Sequence, residues 1–256
     1  MRHATLWNLK ADSLTAPFLS IVVPVYNEAN RLPASLKLIL DFLQAQSYPA
    51  EVIIVENGSR DATLKIAQDF AEQYPQIRVL QNKERGKGLA VKRGMLEACG
   101  EYRFMCDVDL SMPIQEVNRF LPPVLDNFEV AIASREAPGA VRYDEPPYRH
   151  FVGRGFNTLI RLIALPGLDD TQCGFKCVRG AIANDLFTRQ TLTGWSFDVE
   201  MLFIARRLGY RIVEVPIPWY FNADSKIRIF KDSFHMGMDL LAIRMNALRG
   251  NYDHKL

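Results

Sequence analysis

Two aspartates separated by one residue, Asp107 and Asp109, carry the clearest chemical signal in this chain of 256 residues. They follow an apolar run, Phe104-Met-Cys106, with the look of a buried strand, and Pro113 then opens what should be a helix. In an extended segment residues i and i+2 point to the same side, so both carboxylates face one space. Two carboxylates held that close repel, and one pKa rises unless a cation neutralises them. Mg²⁺ or Mn²⁺, bound by a few carboxylate oxygens together with the phosphates of a nucleotide, suits that donor set. Taken alone the pattern also describes a solvated turn, so its meaning depends on what the rest of the chain places beside it.

The elements that must position these aspartates are legible as alternating patterns. A β-branched run over 18–24 ends in proline and reads as a buried parallel strand; Leu36, Ile39, Leu40 and Leu43 give the spacing of a one-faced helix over 32–46. Further strands are expected over 51–55 and 77–80, with helices over 61–74 and 89–98 and the aspartate-bearing strand as the fourth. Strand and helix alternating in this way predict right-handed crossovers and a mostly parallel α/β sheet flanked by helices on both faces. Ligands in such sheets sit outside the carboxyl ends of the strands. The unusual polar residues fall there: Tyr26, Asn27 and Glu28 after the first strand, Glu56 and Asn57 after the second, Asp107 and Asp109 after the fourth.

The second half is less regular. A strand is expected over 129–133, and 136–147, rich in Pro, Gly and charge, reads as a mobile surface loop that closes over a substrate. Helices follow over 149–165, near 180–187 and from the Trp195-Ser-Phe-Asp-Val-Glu200 segment to about 208, then strands over 211–215 and 217–221. A last helix over 230–249 bears an apolar stripe at Phe230, Phe234, Met238, Leu241, Met245 and Leu248. Such a stripe fits packing on a core or lying in a membrane interface. The chain thus divides into an N-terminal arm over 1–17 and one α/β domain over 18–256, with a regular half over 18–133, a less regular half over 134–229 and the amphipathic helix over 230–249.

Composition narrows the partners. A net charge of +2 is too small to argue for nucleic acid. Four cysteines, Cys99, Cys106, Cys173 and Cys177, lack zinc-type spacing and read as reduced thiols of a cytosolic protein. No signal peptide is expected, and no segment approaches the roughly 18 apolar residues of a membrane span, so membrane contact should be peripheral. The turn after the first strand, Pro24-Val-Tyr-Asn-Glu28, has none of the glycines that a dinucleotide fold requires, and no P-loop motif occurs. A metal-bridged sugar nucleotide held by side chains fits better.

Taken together, Pro24-Val-Tyr-Asn-Glu28, Glu56-Asn-Gly-Ser-Arg-Asp61, Arg85-Gly-Lys-Gly88 and Asp107-Val-Asp109 resemble the inverting glycosyltransferases of family 2 with a GT-A fold. Asp170-Thr-Gln-Cys-Gly-Phe-Lys176, Trp195-Ser-Phe-Asp-Val-Glu200 and Ser225-Lys226 are similar to those of the dolichyl-phosphate β-glucosyltransferases, with the dolichyl-phosphate mannose synthases as near relatives. The resemblance implies a peripheral enzyme on the cytoplasmic face of a membrane that moves glucose from UDP-glucose to a polyprenyl phosphate, with 18–133 as its nucleotide-binding half and 134–229 as its acceptor half. It implies that Pro24, Tyr26 and Glu28 line the nucleoside pocket, that Glu56 accepts a hydrogen bond from uracil or ribose, and that Lys87 reaches the base or phosphates. Asp107 and Asp109 would hold Mg²⁺ or Mn²⁺ against the diphosphate, while Arg135 and Arg149 grip the lipid phosphate. Asp198 stands where many family members keep a catalytic base. Asn57 and Gly153 depart from the family pattern, where a second aspartate and, in the mannose branch, a serine are usual. The alternatives are GDP-mannose as donor, a hydroxyl acceptor, and a sugar-nucleotide-binding scaffold without turnover.

Bland readings stand beside these. Trp195 and Phe197 fit a core as well as a sugar platform, His150 and His235 read as surface residues, and Arg142 and Arg154 fit either a solvated face or an anionic-lipid contact.

Overall fold

The computed structural model describes residues 16–222 and 229–253, with the side chains of residues 149, 151, 152 and 229–234 outside that description. The arm expected over 1–17 lies outside the described residues except for 16 and 17, as does the Ser225-Lys226 pair.

In the first half β1 (Leu19–Val25), β2 (Ala50–Glu56), β3 (Ile77–Gln81) and β4 (Tyr102–Cys106) alternate with α1 (Leu32–Gln44), α2 (Thr63–Gln73) and α3 (Lys87–Glu97). β1 pairs in parallel with β2 and β4, and β2 with β3. These strands are apolar on both faces because both faces are covered. Ile21, Val23, Val52 and Ile54 join the layer closed by Leu36, Ile39 and Leu43 of α1; Val22, Ile53 and Val55 join the layer closed by Ala90, Val91 and Met95 of α3.

The second half adds β5 (Val130–Ser134), β6 (Val141–Tyr143), α4 (Pro147–Ile163), β7 (Phe175–Arg179), α5 (Gly180–Arg189), α6 (Phe197–Arg207), β8 (Ile212–Pro216), β9 (Pro218–Tyr220) and α7 (Ile229–Leu248). A single seven-stranded sheet runs β3-β2-β1-β4-β7-β5-β8 through both halves. β7 lies between β4 and β5, antiparallel to each. No strand is evident there in the sequence, because Lys176 and Arg179 argue against burial at a sheet centre; each has a partner that offsets the cost, as described below for Lys176.

Two further expectations are corrected. The helix after Pro113 is a short 3₁₀ helix, Ile114–Phe120, which stops before Pro122-Pro123, where a helix cannot continue. The segment expected to be a free loop over 136–147 instead contains β6, paired in parallel with β9 in a small second sheet. Arg142 ties it together: Nη1 donates to Glu145 at 2.7 Å, Nη2 donates to Glu136, and Nε donates to the Arg135 carbonyl at 3.2 Å. Arg142 is therefore an internal clasp rather than a solvated face.

Candidate active site

The carboxyl ends of β1, β2 and β4 bring the expected polar residues to one side of the sheet, as parallel pairing requires. At the end of β4 the Asp107 N–H donates to the Gly174 carbonyl at 3.0 Å. The loop is then locked by Val108, whose carbonyl accepts the Ser35 hydroxyl at 2.5 Å, and by Leu110, a non-glycine residue at φ 47°. Such backbone is costly for a branched side chain and is retained where the surroundings impose it. Asp109 accepts the Ser111 N–H at 3.1 Å. Burial first, then the neighbouring Asp107, pushes its carboxyl above the usual carboxylate range.

Lys87, at the start of α3, aims at these aspartates. Its Nζ lies 2.8 Å from Asp107 Oδ1 and 2.9 Å from Oδ2. Burial pulls the ammonium pKa down, but Asp107, Asp198 and Asp109 together raise it, so the lysine stays charged. The same ammonium sits 5.2 Å from the ring centroid of Trp195. Trp195 is thus part of the site rim, whereas Phe197 is buried core. The 190–196 loop that presents Trp195 is anchored from beneath by Glu200, which accepts the Thr191 and Leu192 N–H groups at 3.0 and 2.7 Å and the Tyr252 hydroxyl at 2.8 Å. Gly86 abuts it, and a Cβ there would stand 2.5 Å from the Thr193 carbonyl oxygen.

The segment from Asp170 to Lys176, which leads into β7, touches three of the expected site residues. Asp170 takes Arg135 in a two-point ion pair, Nε at 2.6 Å and Nη2 at 2.9 Å, and also accepts the Arg135 N–H at 3.0 Å. Burial would raise the Asp170 carboxyl, yet Arg135 holds it down to about 2, and the pair remains ionised at physiological pH. Gly174 makes room for Asp107: a Cβ there would lie 1.9 Å from Asp107 Oδ2. Lys176 Nζ lies 2.8 Å from Oδ1 of Asp198, in the first turn of α6. Burial raises the Asp198 carboxyl above its ordinary value, against the pull of Lys176 and Lys87.

Among the residues expected to line a nucleoside pocket, Pro24 lies near the end of β1 and Tyr26 just beyond it, with the Arg85 guanidinium 4.1 Å from the Tyr26 ring centroid. Asn27, at φ 50°, shapes the turn; its Oδ1 accepts the Arg60 N–H at 2.8 Å. Glu28 accepts Arg31 on both oxygens, Nε at 2.7 Å and Nη2 at 2.9 Å. One Glu56 oxygen caps its own turn by accepting the Ser59 N–H. Asn57 accepts the Gly86 N–H at 3.0 Å and so ties the Arg85-Gly-Lys-Gly88 turn to the end of β2.

Of the two arginines expected to grip a phosphate, Arg135 has its guanidinium engaged with Asp170 and 5.4 Å from the Trp219 ring centroid. Arg149 belongs to the first turn of α4, and its side chain lies outside the described residues. Residues that the sequence reading did not place in the site are Arg31, whose charge also lowers the Asp109 carboxyl, and Asp170, Gly174 and Lys176. The last three stand in a motif already singled out; Arg31 had no signal beyond its place beside Glu28.

The metal expectation can be weighed on the donors. Among the described residues no cluster of three or more His, Cys, Asp or Glu side chains is arranged to hold an ion. Asp107 and Asp109 alone supply hard oxygen donors, and a lysine ammonium already lies against both Asp107 oxygens. Two carboxylates facing one ammonium keep an excess of negative charge, and hard oxygen donors of that kind would suit Mg²⁺ or Mn²⁺.

This architecture is shared by solved glycosyltransferases. A glucosyl-3-phosphoglycerate synthase from Mycobacterium tuberculosis, crystallised with UDP, superposes with TM-score 0.62 at 18% identity, covering 90% of this chain and 79% of that one. A Pyrobaculum calidifontis mannosyltransferase, crystallised with GDP-Man and Mn²⁺, superposes with TM-score 0.56 at 19% identity, covering 94% and 66%. The fold is the GT-A fold, and the class is that of the GT-A glycosyltransferases. The sequence profile of glycosyl transferase family 2 matches residues 20–187, and the chain belongs to that family. Proteins named dolichyl-phosphate beta-glucosyltransferase from Dictyostelium discoideum and Mus musculus are each 34% identical over 247 residues, spanning 91% of this chain and 76% of theirs. The one from Saccharomyces cerevisiae is 33% identical over 256 residues, spanning 92% and 76%.

Proposed function

We propose that this glycosyltransferase moves glucose from UDP-glucose to a polyprenyl phosphate of the dolichyl type, with inversion, at a membrane surface. The observation that carries the reading is the convergence of Asp107, Asp109, Lys87 and Asp198 at the strand ends, in a chain whose relatives bear the name dolichyl-phosphate beta-glucosyltransferase.

Asp107 and Asp109 would hold Mg²⁺ or Mn²⁺ against the diphosphate, and the bound ion would supply Lewis-acid stabilisation of the charge that develops on the leaving nucleoside diphosphate. Lys87 adds a second positive charge beside the same phosphates. Tyr26, Glu28 and Glu56, with Pro24 at the strand end, form the nucleoside side. A phosphate monoester has a second pKa of about 6 and is mostly dianionic at neutral pH, so it attacks without a general base. The protein then has to position and screen charge, the task of Arg135 and Arg149. In this reading Asp198 accepts a hydrogen bond from a hydroxyl of the transferred sugar. Asp198→Asn should therefore retain measurable turnover, falling by about 10- to 100-fold, whereas a base for a hydroxyl acceptor would lose roughly 10⁴-fold. Steady-state kcat on the polyprenyl phosphate separates the two.

The membrane part draws on α7. Its packed face is Leu240, Ile243 and Ala247, while Met238, Leu241, Met245 and Leu248 are exposed. Neighbouring α4 adds exposed Leu159 and Leu162, and the two helices are tied by Arg244 Nε donating to the Ile163 carbonyl. Among the described residues no helix is long and apolar enough to cross a membrane. Exposed apolar side chains on that scale favour an interface. Changing Met238, Leu241, Met245 and Leu248 together to Asp should reduce co-sedimentation with phospholipid vesicles by roughly tenfold or more, while transfer to a short, water-soluble polyprenyl phosphate persists.

Incubation with UDP-[¹⁴C]glucose, Mn²⁺ and polyprenyl phosphate tests the whole reading. Label is expected in an organic-extractable, acid-labile product. Label found only as free glucose, or faster transfer from GDP-[¹⁴C]mannose, would count against it.

A further inference from the structure

One buried charge has no part in the chemistry above. Lys176 is 1% exposed in the middle of the seven-stranded sheet, opposite Met105 of β4 and Ile132 of β5. An ammonium in such a place is destabilising unless paired and hydrogen-bonded. Its Nζ donates to the Cys173 carbonyl and lies 2.8 Å from Asp198 Oδ1. Two residues earlier on the same segment, Gly174 accepts the Asp107 N–H and leaves its carboxylate the space it occupies. One short stretch, from Gly174 just before β7 to Lys176 within it, therefore fixes both a carboxylate at the end of β4 and a carboxylate at the start of α6. The charged groups facing Asp198 are Lys176 from β7, Lys87 from α3 and Asp107 from the loop after β4. The N-terminus of α6 adds its own preference for an anion.

We propose that Lys176 is a positioning residue: it commits one oxygen of Asp198 to the protein interior and keeps the side chain a carboxylate, so that the other oxygen can only accept a hydrogen bond from the transferred sugar. The sugar contact rests on the functional reading above; the tie between Lys176 and Asp198 does not. Without the ammonium, a carboxylate almost wholly buried would take up a proton and become a donor. The site would then favour the wrong hydrogen-bond partner while every other residue kept its place.

The test is a pH titration by NMR of protein labelled with ¹³C at the aspartate carboxyls, the Asp198 signal being assigned by its loss in Asp198→Asn. In Lys176→Met the Asp198 midpoint should move up by about one pH unit or more, Lys176→Arg should bring it back toward the wild-type value, and the acid limb of kcat/KM should move with it. A purely structural lysine would lower activity at every pH and leave the limb unmoved. An unmoved midpoint overturns the proposal. Should Lys176→Met not fold, the wild-type protein still decides: the Lys176 Nζ resonance should follow the Asp198 titration, and an Nζ signal indifferent to it overturns the proposal. The titration uses no substrate, so absent transfer to polyprenyl phosphate sinks only the functional reading, while normal transfer with an unmoved midpoint sinks only the role of Lys176.

Discussion

Gly174→Ala is expected to lower kcat/KM by about 100-fold, the scale of a misplacement near one ångström in a reacting site, and to destabilise the fold by about 1–3 kcal/mol through overpacking. The new methyl would stand 1.9 Å from Oδ2 and 2.4 Å from Cγ of Asp107. Neither side can yield easily. Residue 174 lies just before a central strand with neighbours on both sides, and Asp107 is held by its own N–H and by Lys87. The carboxylate must turn away, and with it go the lysine contact and the geometry shared with Asp109. Kinetics at saturating Mn²⁺, paired with thermal denaturation, checks both parts. Wild-type turnover in this variant would mean that Asp107 does not have to be where the structure puts it.

Asp109→Asn is expected to act in opposite directions on activity and stability. Removing the charge while keeping the shape should reduce kcat/KM by about 10³-fold, the scale of losing one preorganised electrostatic contact to a transition state. Thermal stability at neutral pH without metal should rise. Burial and the neighbouring Asp107 raise the folded-state pKa of Asp109, so its ionisation opposes folding. For a carboxyl with a raised folded-state pKa, that penalty is absent below the unfolded-state value of about 3.9, grows as pH climbs through the window up to the folded-state value, and is full above it. Melting curves of wild type and variant in metal-free buffer should therefore coincide at acid pH and separate toward neutrality. The same excess of negative charge that opposes folding of the metal-free protein would attract a divalent ion, an exchange of stability for function.

The first half of this architecture was legible because its strands are continuous apolar runs and its polar residues gather at one set of strand ends. The second half hid its central strand. Phe175-Lys-Cys-Val-Arg179 breaks its apolar residues with two basic ones, and nothing local reveals that Lys176 has Asp198, 22 positions downstream, as its counter-ion. Side-chain partners at a distance were illegible for the same reason. Glu28 was expected among the nucleoside contacts, but periodicity could not show that Arg31 takes both its oxygens, and Arg135 read as a phosphate ligand without sign of Asp170. The final helix shows a different limit. Periodicity found the stripe Phe230, Phe234, Met238, Leu241, Met245 and Leu248, of which the last four have described side chains, yet α7 is apolar on two faces, and it is Leu240, Ile243 and Ala247 that pack inward.

Titrating Mn²⁺ into the metal-free protein with and without UDP, and following free Mn²⁺ by electron paramagnetic resonance, tests the proposal that Asp107 and Asp109 hold an ion against a diphosphate. Convergence of Asp107 and Asp109 predicts Mn²⁺ binding that UDP strengthens by about tenfold or more and that Asp109→Asn loses. Equal Mn²⁺ binding by wild type and Asp109→Asn, or binding indifferent to UDP, would contradict it.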